Sequence, residues 1–176
     1  KVNTIIFKKK NESFPKPLVS VFDTAQYGPS FIQNVLSDVP FIHAKGISGS
    51  GIVIGFLDTG FDWNNHESLK DLNVIAERDF VFNDNVTANE QQDSPGQHDH
   101  GTYVFSIAAG YKEEEIIGPV YGASFLLAKT EYVPTETHVE EDNYAAALIW
   151  MENQGVDITS SSLGYNQFED GGSYTY

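Results

Sequence analysis

Along this chain, apolar runs of strand length alternate with stretches whose apolar residues repeat at helical spacing. Residues 52–57 form a continuous apolar run that follows a turn cluster at 48–51 and stops at Asp58, the pattern of a strand buried on both faces. Residues 125–128 and 156–163 repeat the strand signal, and helical patterns at 104–109 and 144–151 separate the three. Strands separated by helices predict an α/β fold, a mostly parallel sheet covered on both faces. The clearest helix spans 143–154, with Glu140, Glu141 and Asp142 at its positive end and Gly155 as its stop. A shorter helix is expected to start at Gly28-Pro29-Ser30, to pack by Ile32, Val35, Leu36 and Val39, and to close at Pro40. Residues 83–99 are almost free of apolar side chains and read as a surface loop that crosses near a site. Residues 1–27, with three lysines in a row and two prolines, read as a linker or the remnant of an upstream segment, leaving 28–176 as the folded portion.

Composition narrows the function classes. With 176 residues, 40% hydrophobic and 13% aromatic, the chain supports one respectable core. Its formal charge of −15 argues against nucleic acid, whose binding depends on lysine and arginine displacing counterions, and against an anionic membrane surface. The lack of cysteine removes disulfides, thiolate nucleophiles and cysteine zinc sites together. No run approaches the roughly 18 apolar residues of a membrane helix.

Two positions carry candidate chemistry. Asp58 stands at the carboxyl end of its strand, where open α/β sheets gather their ligands and catalytic groups. Taken alone, Asp58-Thr59-Gly60 reads more readily as a turn, and Asp58 by itself supports no claim. His100 lies in the predicted first turn of the helix that follows the polar loop, where the helix dipole disfavours imidazolium and keeps a neutral base available.

Taken together the motifs are more specific. FLDTGFD (56–62) and then HDHGTYVFSIAAG (98–110) resemble the subtilase family of serine proteases. The likeness continues through GPVYGASFLLAKTE (118–131) and GVDITSSSLGY (155–165), in the family's order. The resemblance implies the N-terminal portion of a catalytic domain with a partial, doubly wound subtilisin-like fold. It implies a serine endopeptidase that orders its triad Asp, His, Ser. Carried across residue by residue, Asp58 is the orienting acid and His100, directly before Gly-Thr, the general base; His98 is not the match. Ser162, Leu163 and Gly164 correspond to the strand whose backbone pairs with an extended polypeptide substrate. The nucleophile segment and the oxyanion asparagine have no match within the 176 residues, so this chain alone is expected to be inactive and to need the C-terminal part of the same domain as its partner. The resemblance further implies secretion and requires no cofactor.

Departures and competing readings frame the expectation. Tyr103 stands where the family commonly has a second histidine, Phe105-Ser106 where it has Ala-Gly, and Ser124 where it has proline. None of these replaces the acid or the base. Asp-Thr-Gly after an apolar strand is also the mark of aspartic proteases, but those are all-β and need two such carboxylates. His98, Asp99 and His100 are ordinary metal ligands without the further spacing of a metal hydrolase, so no metal site is assigned. Structural calcium on Asp84, Glu90 and Asp93 competes with a simply solvated loop. A non-catalytic pseudoprotease or interaction domain of the same ancestry remains the alternative function.

Overall fold

A computed structural model of the chain describes residues 24–169 and 171–174. The central sheet has four strands: β1 (Val53–Asp58), β2 (Asn73–Asp79), β5 (Ser124–Lys129) and β6 (Ile158–Ser161). Their order is β2-β5-β1-β6, and each adjacent pair is parallel. Alternation along β1 and β5 divides the core in two. Ile54, Phe56, Phe125 and Leu127 join Phe105 and Ala109 of α4 (Asp99–Ala109) on one face. Leu57, Leu126 and Ala128 join Ala147 and Met151 of α5 (His138–Asn153) on the other. Helices therefore cover both faces, as the alternating pattern requires. Gly55 lets α5 approach β1, since a Cβ there would lie 2.4 Å from Met151 Sδ. This parallel α/β layering excludes the all-β architecture of an aspartic protease.

Helix α5 begins five residues before its expected start. Thr137 caps it in a reciprocal box with Glu140, whose carboxylate accepts the Thr137 amide at 3.0 Å. Glu140 and Glu141 thus belong to the first turn, and Glu140 is buried. The helix stops where expected: Gly155 follows the cap with φ +83°, a left-handed conformation natural to glycine.

The N-terminal helix departs from its expected form. The segment breaks into α1 (Thr24–Tyr27), a 3-10 turn (Gly28–Ser30), α2 (Phe31–Leu36) and α3 (Val39–His43). Pro40 opens α3 instead of closing the segment. Ile32 and Leu36 are 72% and 83% exposed, while Val35 and Val39 are half-buried, so only half of the expected apolar stripe packs. The buried contact is polar: Asn34 donates to the carbonyls of Ser30 and Ile117, and Ser30 Oγ accepts the Ile117 amide. Ile117 belongs to a small hairpin, β3 (Tyr111–Lys112) and β4 (Ile116–Ile117), whose unpaired backbone groups these side chains satisfy. Tyr27 is buried in the same packed body, whereas residues 1–23 of the expected linker lie outside the described residues.

Candidate active site

Asp58 closes β1 and is 2% exposed. Its Oδ1 accepts hydrogen bonds from the Thr59 amide at 2.7 Å and the Thr59 hydroxyl at 3.1 Å, and it meets His100 Nδ1 at 2.7 Å. An ionised carboxylate only accepts, so Nδ1 is the donor of this contact, and in the neutral imidazole Nε2 keeps its lone pair. The His100 side chain is 51% exposed, which leaves that lone pair accessible from outside. The sequence-predicted acid and base are thus brought together, with the acid buried beneath the base.

Two glycines permit this approach. A Cβ on Gly101 would lie 2.2 Å from the Gly60 carbonyl oxygen and 3.0 Å from Asp58 Cβ, so the start of α4 rests directly on the end of β1. Gly60 has φ +133°, and a Cβ there would meet the Thr87 carbonyl oxygen at 2.6 Å. Thr102 fastens the junction: its hydroxyl donates to the His98 carbonyl and accepts the Asp62 amide. Gly101→Ala is expected to force the helix off the strand end and cost about 1–3 kcal/mol in urea unfolding. An unchanged midpoint would show that this contact is not close-packed.

The loop at 83–99 does cross beside the pair, held by polar anchors. Gln97 is fully buried; its amide donates to the carbonyls of Thr59 and Glu131 and accepts the Val133 amide. His98 exchanges two hydrogen bonds with Asn89, accepting at Nδ1 and donating from its backbone amide, so its ring is engaged by the loop. Asp93 is drawn to Lys129, which also pairs with Asp79 at 2.7 Å; all three side chains are 0% exposed. Among the described residues, no group of three or more His, Cys, Asp or Glu is arranged to hold a metal ion.

Ser162, Leu163 and Gly164 leave the end of β6, with Ser162 and Gly164 exposed and Leu163 half-buried. Nearby Ser161 shares a hydrogen bond with Tyr144, and among the described residues no serine bonds to His100. Sequence reasoning missed Gln97, Lys129, Glu131 and Tyr165. Glu131 is 7% exposed, and burial, reinforced by Glu140 and Glu136, pushes its carboxyl up to about 7 against the opposing hydrogen bonds of Tyr165 and Thr130. Burial and then the Glu131 contact raise the Tyr165 phenol. The departures from the family pattern also find their places. Phe105 stacks edge-on with Phe61 and Phe125 inside the core, and Tyr103 points outward at 66% exposure.

Residues 49–175 match the family pattern described as the subtilase family, Peptidase S8. The major intracellular serine protease of Bacillus subtilis is 32% identical over 133 residues, which cover 71% of this chain and 38% of that protein. Subtilisin Savinase of Lederbergia lenta is 30% identical over 126 residues, covering 71% of this chain and 42% of that protein. Among solved structures, fervidolysin of Fervidobacterium pennivorans, a keratinolytic enzyme related to subtilisin, superposes with a TM-score of 0.56 at 26% identity, covering 76% of this chain and 19% of that one. The chain therefore spans less than half the length of each of these relatives.

Proposed function

The chain belongs to the subtilase family, and from that premise we propose that it supplies the acid and the base of a serine endopeptidase. The observation that carries the proposal is the 2.7 Å contact between buried Asp58 and the half-exposed imidazole of His100. A serine from outside these 176 residues attacks the peptide carbonyl and passes its proton to His100 Nε2. The resulting imidazolium protonates the departing amine, and a water then repeats the sequence to release the acyl group. Asp58 stays ionised, accepts the Nδ1–H hydrogen bond throughout and stabilises the imidazolium. These proton transfers require no cofactor. The substrate is a polypeptide laid in extended form along the backbone of Ser162, Leu163 and Gly164.

The remaining portion of the catalytic domain is the partner this reading requires. Exposed apolar side chains support it: Tyr103 and Ile107 on α4, at 66% and 38%, follow His100 along that helix, and Ile158 on the outer strand is 57% exposed. Strand β6 pairs with β1 on one side and, among the described residues, with no strand on the other. The chain alone is then inactive. Secretion is part of the same proposal and rests on family resemblance; among the described residues, no helix is long and apolar enough to cross a membrane.

Intact mass before and after a serine-reactive fluorophosphonate tests the reading. The complete native protein should gain one adduct that denaturation prevents, and the 176-residue chain should gain none. A complete protein that stays unlabelled would favour a pseudoprotease that keeps the fold for binding.

A further inference from the structure

Strands β5 and β6 flank β1, and the segments leaving their carboxyl ends, 131–133 and 162–165, stand on either side of the strand that ends in Asp58. On the protease reading, an extended peptide that reaches His100 along Ser162, Leu163 and Gly164 would run between these two segments. One side is anchored well. Gln97 holds the Glu131 carbonyl at 2.6 Å and the Val133 amide at 3.0 Å, while Glu140 accepts the Tyr132 amide at 3.2 Å. A side-chain contact joins the two sides: the Tyr165 hydroxyl donates to Glu131 Oε1 at 2.5 Å, and Thr130 Oγ1 donates to the same oxygen at 2.8 Å. The Tyr165 ring also packs edge-on against Tyr144 of α5.

We propose that the Glu131–Tyr165 hydrogen bond is a strut that sets the spacing of the two walls of the peptide groove, making both positioning residues for substrate binding. The inference rests on the protease reading for its substrate, but the strut itself is a property of this chain. Geometry places it one residue beyond the Ser-Leu-Gly segment, close enough to govern where that backbone lies. It touches neither Asp58 nor His100, so its loss should weaken peptide binding more than it slows chemistry.

The strut should also respond to pH. The titratable groups around the Glu131 carboxyl are Tyr165, Glu140 of α5 and Glu136 of the preceding loop. With the walls docked, Glu131 is pushed up to about 7; released to solvent, it returns to its ordinary value of 4.5. The docked state therefore holds the proton more tightly. Docking is strongest below the released value and weakens as pH rises from there through about 7.

In the complete protease, Tyr165→Phe keeps the ring and removes the donor. It should raise KM for a hexapeptide about tenfold, the size of one well-placed hydrogen bond, with a much smaller change in kcat. Glu131→Ala should match it, whereas Glu131→Gln keeps an acceptor oxygen and should restore most of the binding. Wild-type KM should climb with pH across the stated window and stay flat in Glu131→Gln. In the 176-residue chain, amides at 162–165 should exchange with solvent about tenfold faster in Tyr165→Phe while β1 is unaffected. Unchanged KM and unchanged exchange would overturn the strut, as would a parallel fall in kcat. If the complete wild-type protein cleaves no peptide, the protease reading fails and the exchange result alone decides the strut.

Discussion

Under the proposed function, His100→Ala in the complete protein is expected to lower kcat for peptide hydrolysis by about 10⁶, the scale of such a loss in subtilisin, a member of the same family. Without the imidazole, nothing at 2.7 Å from Asp58 can take the serine proton or return it to the leaving amine. Asp58→Asn should cost about 10⁴ for a different reason. An asparagine amide can donate to Nδ1, which moves the imidazole proton to Nε2 and turns the base away from its task. KM should change little in either variant, because neither side chain is placed to grip the peptide. The double variant should be scarcely worse than His100→Ala, since the two residues act as a unit. A loss below a hundredfold in His100→Ala would remove His100 from the chemistry.

Lys129→Met should destabilise the chain by about 3–5 kcal/mol in urea unfolding at pH 7. The register places Asp58, Lys129 and Asp79 at the same level on three neighbouring strands, and Lys129 answers both Asp79 and Asp93 inside the protein. Asp79 Oδ1 accepts the amides of Val81 and Phe82, and Asp93 Oδ2 accepts that of Glu90, so both carboxylates are held in place by backbone. Removing the ammonium strands two buried charges that cannot swing out to water. The half-buried lysine at 112, paired with the exposed Glu67 and Glu115, makes a useful contrast, because solvent screens such pairs and its loss should matter little. Adding Asp79→Asn and Asp93→Asn to Lys129→Met should recover much of the loss. A single variant as stable as wild type would show that the cluster contributes nothing net.

Much of the frame was legible because its signals are local. A continuous apolar run can satisfy both faces only in a covered sheet, so β1 and β5 were readable from residues 52–57 and 125–128. Asp58 and His100 were readable because strand-end and helix-start positions, and the motifs around them, are local too. Strand β2 escaped notice since its charged residues and edge position blur the alternation; its burial is intermediate over most of its length. The α2 stripe misled for the converse reason: Ile32 and Leu36 have helical spacing, but the polar side chains of Ser30 and Asn34 found backbone partners on a hairpin some eighty residues away.

The sequence by itself determined that β1, β5, β6, α4 and α5 form, and that Asp58 stands at a strand end and His100 at a helix start, because periodicity and turn chemistry act within a few residues. Only the tertiary structure decided which polar groups go inside. Lys129 ends an apolar strand and Gln97 sits in a polar loop, and either would pass for a solvent-facing residue. Burying such a group is tolerable only where partners already wait, and those partners come from Asp79, Asp93, Thr59 and Glu131, on separate parts of the chain. The Glu131–Tyr165 strut has the same origin, joining residues that only the sheet order brings together.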